Sequence, residues 1–315
     1  MEGKVLAALL GTAIGDALGF PFEGLSREAL KDVDLSRYHA GDFPPGTWSD
    51  DTSLTFITAE SLVERKGLDL ADLGQRFLRW LREGYLTPFG RAIGVGRATR
   101  EALERLARGV PPEEAGGRGE RDNGNGALMR ILPVVLWYLK EEAEGLLRPV
   151  HRAAALTHAH PRNLVACGIY AFLVKGLFRE RDFSRALAFA LKEARLRYRE
   201  GPLAEERRHF ERLERIEALS SEDIRASGYV VHSLEAVCWV MAQTSSFEEA
   251  VALAVRLGED TDTTAAIVGG LAGLLYGPES LPPSLVEGLV KGEDLRERAL
   301  RFASVLSTSR AADSA

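Results

Sequence analysis

Two short acidic runs stand out from an otherwise amphipathic chain: Ser49-Asp50-Asp51-Thr52, after a Pro-rich loop, and Asp260-Thr261-Asp262-Thr263-Thr264, after Gly258-Glu259. Each precedes a helix-like stretch, residues 54–62 and 265–275. Capping is the structural alternative, because Asp, Ser and Thr at a helix start accept hydrogen bonds from free N–H groups and suit the dipole. One carboxylate satisfies a cap, and each run carries two. If the runs meet in space, four carboxylates face one another. Each pair 4 Å apart then costs about 1 kcal/mol in water and about 4 kcal/mol at an effective dielectric of about 20. Divalent cations would remove that cost. Hard oxygen ligands of this kind suit Mg2+ or Mn2+, and four Asp charges balance two such ions.

Other chemistries share these patterns. Asp260-Thr261-Asp262-Thr263-Thr264 matches the DxDxT of haloacid-dehalogenase-type phosphatases, but there the motif ends a hydrophobic strand early in an α/β domain, and here it follows helical sequence near the C-terminus. Asp50-Asp51 suggests the DDxxD of isoprenoid synthases, yet position 54 is Leu. A glycine motif lies mid-chain, Asp122-Asn123-Gly124-Asn125-Gly126, leading into an apolar helix. Glycines before a helix let backbone N–H groups approach an anion, and an ordinary Asn-Gly turn is the alternative. His158 and His160 form an HxH, whose residues share one face of a strand but diverge on a helix, so a metal role for the pair is not expected.

Helical periodicity dominates the elements that must position these groups. Leu70, Leu73, Phe77, Leu78 and Leu81 fall on one stripe, as do Phe247, Val251, Ala254 and Val255, and Leu295, Ala299, Phe302, Ala303 and Leu306. Ser246 with Glu249 and Ser284 with Glu287 read as capping boxes. The short Tyr229-Val230-Val231 stretch is drawn into a helix by Leu234, Val237 and Val240, so the fold class is all-α. Gly11, Gly15 and Gly19 recur every four residues, which predicts close helix packing rather than phosphate binding. Breaks fall at residues 41–46, 110–119, 201–202 and 277–283, none of them a domain linker, so one domain is expected. The charged stretch 195–217 reads as a solvated helical hairpin.

The chain has 315 residues, 45% hydrophobic and 27% charged, with 40 Lys+Arg against 46 Asp+Glu. A net charge of −6 without a basic cluster argues against a nucleic-acid partner, which needs concentrated positive charge. Cys167 and Cys238 form no CxxC pair, which excludes a disulfide framework and suggests a reducing compartment. The apolar N-terminus is interrupted by Asp16 and lacks a cleavage site, and residues 265–276 are too short to span a bilayer. No membrane partner and a cytoplasmic location are the expectations.

Taken in order, GDALGFPFEG (15–24), WSDDT (48–52), GNGALMR (124–130), Thr157-His158 and GEDTDTTAA (258–266) resemble the ADP-ribosylglycohydrolase family, of the dinitrogenase-reductase-activating glycohydrolase type. The resemblance implies a compact orthogonal helix bundle over residues 1–315, with a core of about 3–277 followed by C-terminal helices. It implies two Mg2+ or Mn2+ ions held by Ser49, Asp50, Asp51, Asp260, Asp262 and Thr263. The loop Asn123, Gly124, Asn125, Gly126 would hold a diphosphate, with His158 near the ligand, whereas Met129 and Arg130 would pack and His160 would lie at the surface or at a helix start. Glu23 sits at the spacing of a glutamate that, in the branch hydrolysing serine-linked or acetyl-ester ADP-ribose, acts in catalysis or gates the site, with an exposed loop acid as the alternative, and Asp262 or Asp51 could accept a proton from the attacking water. The implied substrate is an ADP-ribosylated protein or a small ADP-ribose conjugate, with an arginine linkage favoured. Serine-linked ADP-ribose, O-acetyl-ADP-ribose, modified nucleobases, a non-catalytic ADP-ribose sensor and a crystallin-like structural role remain the alternatives.

Overall fold

A computed structural model describes residues 1–312. All regular structure among them is helical: α1 (Glu2–Gly19), α2 (Arg27–Leu30), α3 (Asp50–Arg65), α4 (Leu70–Glu83), α5 (Arg97–Ala107), α6 (Pro112–Ala115), α7 (Leu132–Trp137), α8 (Ala143–Ala155), α9 (Pro161–Glu180), α10 (Phe183–Arg197), α11 (Gly201–Arg207), α12 (Val230–Gln243), α13 (Phe247–Arg256), α14 (Thr261–Tyr276), α15 (Pro283–Glu287) and α16 (Gly292–Ala312). Two isolated bridges, Gly117 with His158 and Gly124 with Tyr229, join loops rather than strands.

The apolar stripes become the inward faces of α4, α13 and α16, where Leu73, Phe77, Val251, Ala254, Leu295 and Phe302 are buried. Helix starts follow their side chains. Asp69 accepts from Asp72 N at 3.0 Å, Asp182 from Arg185 N at 2.9 Å and Ser246 from Glu249 N at 3.2 Å. Two capping expectations change. The Glu249 carboxylate reaches back to the N–H of Ser245, one residue before the cap. Ser284 does not begin a helix, because α15 starts at Pro283 with Pro282 at its cap and prolines suit a first turn whose N–H groups have no partner. The charged stretch is helical but not solvated throughout, since Phe210, Leu213 and Ile216 are buried.

Helices α1 and α14 run against each other in backbone contact. A Cβ on Gly11 would stand 2.2 Å from the Gly269 carbonyl oxygen, on Gly15 1.9 Å from that of Ala265, and on Gly19 2.3 Å from that of Thr261. Only glycine fits there, which is the packing role its four-residue spacing predicted. Residues 2–22 are long and apolar enough to cross a membrane by length and composition, but most of that stretch is buried inside the protein. The C-terminal helix is tied on by Arg298, which bonds to Glu60 of α3. Cys167 and Cys238 are free and buried, and burial raises both thiols, Cys167 to about 12.

Candidate functional site

The first turn of α3 begins at Ser49, whose hydroxyl accepts from Asp51 N at 3.4 Å. The stronger cap comes from another helix. Asp16, fully buried near the end of α1, accepts from Ser49 N at 3.0 Å, Thr52 N at 3.0 Å and the Thr52 hydroxyl at 2.6 Å. A single carboxylate therefore satisfies the α3 N-terminus, as capping requires, and it belongs to neither acidic run. Asp50 and Asp51 are therefore not needed to cap α3.

The second run opens α14. Asp260 occupies the N-cap position but makes no side-chain cap bond, and its Oδ2 instead accepts from Asn125 Nδ2 at 2.7 Å. Asp262 accepts from Thr263 N at 2.9 Å. The hydroxyls of Ser49 and Thr263, one from each run, both donate to Asp51 Oδ2 at 3.2 Å. The two runs therefore meet. Asp16, Asp51 and Asp262 each bring a carboxylate oxygen within 4.8 Å of the others.

The electrostatics of this cluster are one-sided. Burial pushes the carboxyls of Asp50, Asp51 and Asp262 well above the usual range, and neighbouring carboxylates push them further. Asp16 rises to about 6, with burial outweighing the hydrogen bonds from Thr52 and Ser49. Glu23 is raised by burial and then by Asp260 and Asp16. Asp51 Oδ1 is buried without a hydrogen-bond partner. An oxygen of that kind, among several acids and two hydroxyls, fits a hard divalent cation. Asp16 is the member of the trio that does not need one, because both of its oxygens already accept N–H groups.

Glu23, Asp50, Asp260, Asp262 and Thr263 line a cleft of about 290 Å3. Gly124, Asn125, Gly126 and His158 line the same cleft, with Arg97 and Arg121, and Asn125 ties this loop directly to Asp260. The loop is strapped from behind. Asn123 accepts from Val230 N at 2.9 Å, Asn125 N donates to Gly228 at 3.0 Å, and Asn125 Nδ2 reaches Ser233 Oγ at 2.9 Å as well as Asp260. Gly126 is required by proximity: a Cβ there would lie 2.8 Å from His158 Cε1.

His158 is buried and neutral, pulled down to about 3 by burial and by the Arg130 charge. Its tautomer follows from its neighbours. Arg130 Nη2 donates to Thr157 Oγ1 at 2.7 Å, and that hydroxyl lies 2.8 Å from His158 Nδ1. The guanidinium only donates, which leaves the threonine hydrogen free for Nδ1, and that arrangement puts the ring hydrogen on Nε2, beside Gly124 and Gly126. The result is a neutral donor facing the cleft.

Some residues of the sequence reading lie elsewhere. The Asn123 side chain is outside the cleft, donating to Glu120 O at 3.1 Å and accepting from Asn163 at 3.3 Å. Ser49 and Asp51 are buried and do not line the cleft. Met129 lines the cleft, whereas Arg130 is buried as expected, over the Phe77 ring at 5.0 Å. His160 starts α9, accepting from Arg162 N at 3.2 Å. The glycine loop meets a 3-10 turn, Leu128–Arg130, before α7, so it does not abut an α-helix. The sequence reading missed Asp16 as a structural acid, although a carboxylate in the last turn of an apolar helix was its signal. The Arg130–Thr157 link had no local signal, since its members are 27 residues apart.

Residues 1–312 match the sequence family described as ADP-ribosylglycohydrolase. The chain is 32% identical over 307 residues to the ADP-ribosylarginine hydrolase Tri1 of Serratia proteamaculans, covering 94% of this chain and 78% of that protein. It is 30% identical to the ADP-ribosyl-[dinitrogen reductase] glycohydrolase of Rhodospirillum rubrum, over 90% of this chain and 88% of the relative. A solved structure described as an ADP-ribosylglycohydrolase-related protein complex superposes with a TM-score of 0.76 and 34% identity, covering 96% of this chain and 98% of its own. The protein belongs to the ADP-ribosylglycohydrolase family.

Proposed function

We propose that this protein hydrolyses the bond between the anomeric carbon of ADP-ribose and an acceptor on a modified protein or small conjugate, with an arginine guanidinium nitrogen as the favoured acceptor. The observation that carries the reading is that one cleft brings Asp50, Asp260 and Asp262 together with a glycine loop, a neutral imidazole and Arg121. Names of relatives that act on ADP-ribosylarginine support the linkage.

A diphosphate at Gly124–Gly126 would meet backbone N–H groups and His158 Nε2–H, donors that bind an anion without needing to be charged. That placement puts the terminal ribose among the acids. Ser49, Asp50, Asp51, Asp260, Asp262 and Thr263 would hold two Mg2+ or Mn2+ ions, while Asp16 holds the α3 N-terminus in register beneath them. Such ions, when bound, orient sugar hydroxyls and lower the pKa of water. Asp262, which lines the cleft, would take a proton from the attacking water, whereas Asp51 is set back from it, and Glu23 would stand where the acceptor leaves. A departing guanidine is basic, so the demand on Glu23 as an acid is small for that linkage.

The test is a comparison of arginine-, serine- and acetyl-linked ADP-ribose, each with Mg2+, with Mn2+ and after EDTA, following free ADP-ribose. Release from the arginine conjugate that needs a divalent cation is the expected result. Absence of release from all three conjugates would overturn the proposal in favour of a sensor.

A further inference from the structure

A second cleft, of about 300 Å3, adjoins the first at Glu23 and is walled by Phe20, Asp42, Phe43 and Pro44. Apart from Glu23, none of its lining residues belongs to the first cleft. The Phe20 and Phe43 rings lie 5.8 Å apart, Phe43 stacks on the exposed Phe89 at 5.9 Å with an interplanar angle of 7°, and the Arg91 guanidinium sits 5.3 Å from the Phe43 centroid. Ring faces and carboxylates together select a flat cation on an apolar stem. Arg91, which does not line the cleft, shows that the Phe43 ring accepts a guanidinium against its face.

The position of the cleft matches that chemistry. With the diphosphate at the glycine loop and the ribose at the acids, the bond to be broken points out of the first cleft beside Glu23, the residue the two clefts share. Whatever is attached to the anomeric carbon must then pass over Phe20 and Phe43. A serine hydroxyl or an acetyl group would use neither the rings nor the charge of Asp42.

We infer that the Phe20–Asp42–Phe43 cleft is the acceptor subsite, which takes the guanidinium and stem of a modified arginine and so sets the preference among linkages. The inference rests on the hydrolase reading above and adds the residues that choose the acceptor.

The test uses Asp42→Asn, an isosteric change at an exposed residue, together with Phe43→Leu, with melting curves to check folding. In each variant the ratio of kcat/KM for arginine-linked over acetyl-linked ADP-ribose should fall about tenfold, through KM for the arginine conjugate. Affinity for free ADP-ribose should stay within twofold of the parent. A matching loss on both linkages, or an unchanged ratio in Asp42→Asn, would overturn the subsite. Binding of agmatine, followed by NMR shifts of the Phe20 and Phe43 rings, separates this inference from the hydrolase reading. Saturable shifts that weaken in Asp42→Asn support the subsite even if no conjugate is cleaved, and absence of shifts in the parent protein counts against it.

Discussion

Along Gly11, Gly15 and Gly19, helix α1 meets α14 with no side chain between them, yet on the neighbouring face, at Asp16 and Asp262, the same two helices carry carboxylate oxygens within 4.8 Å of each other. The seam is dry, apolar and complete as it stands. The acid cluster beside it is under-neutralised and gains from a cation. The difference teaches how such a cluster is tolerated: the backbone contact fixes both helices so closely that the carboxylates cannot move apart, and the buried core offsets their repulsion. Asp16 belongs to both regions, since it rides on the seam helix and caps the helix that bears Asp50 and Asp51.

The largest expected effect breaks the seam. Gly15→Val places a methyl-bearing carbon where the Ala265 carbonyl oxygen is 1.9 Å away, and only separation of the helices relieves the clash. Overpacking against backbone is expected to cost at least about 3 kcal/mol, read by urea or thermal unfolding. A variant that melts near the parent would show that the helices are not locked, and the comparison would lose its basis.

Cation removal tests the other region. Exhaustive EDTA treatment should lower the melting temperature and stop turnover, and Mg2+ or Mn2+ at about 100 times its dissociation constant should return about 2.7 kcal/mol. The gain should also depend on pH. The folded-state pKa of Asp16, about 6, lies above its unfolded value of 3.8, so this group penalises the metal-free fold at pH 7 and the penalty fades as pH falls through 6 towards 4. Asp50, Asp51 and Asp262 shift in the same direction. Protons and cations then compete for one cluster, so the cation-induced rise in melting temperature should be smaller at pH 5 than at pH 7. Buried His158 and His151 lose stability as pH falls, but equally in both forms, so they cancel from the difference. A rise independent of pH would argue that the cation binds elsewhere.

A smaller effect is expected at the glycine loop. Gly126→Val puts a side chain into the His158 ring and should weaken ADP-ribose binding tenfold or more while lowering stability by about 1 kcal/mol, measured by calorimetry beside a melting curve. Unchanged affinity would reduce the loop to an ordinary turn. The smallest change sharpens the picture of His158. Thr157→Val removes the hydroxyl between Arg130 and Nδ1 and should weaken ADP-ribose binding about threefold to tenfold, with Thr157→Ser restoring it. Imidazole 15N shifts should show the hydrogen on Nε2 in the parent protein and in Thr157→Ser, and a mixture of tautomers in Thr157→Val. The Nε2–H assignment fails if the parent already shows a mixture.

Much of this was legible in the residues because it is local. Apolar residues three and four apart mark α4, α13 and α16 within a window of a dozen positions, glycines every four residues mark a helix face without side chains, and the acid pairs announce themselves by exceeding what a cap needs. Tertiary structure alone decided which acid does the capping. Asp16 lies 33 residues before Ser49, and no periodicity links them until the glycine seam sets the depth of α1. The same holds for Asn123, drawn out of the cleft by Glu120 and Asn163, and for Arg130, Thr157 and His158, joined through one hydroxyl. The second cleft needs Phe20 and Phe43 side by side, a contact made across a loop rather than along a helix. Sequence patterns report the face each residue presents within its own helix, whereas the direction in which a carboxylate or hydroxyl spends its hydrogen bonds depends on partners that only packing brings near.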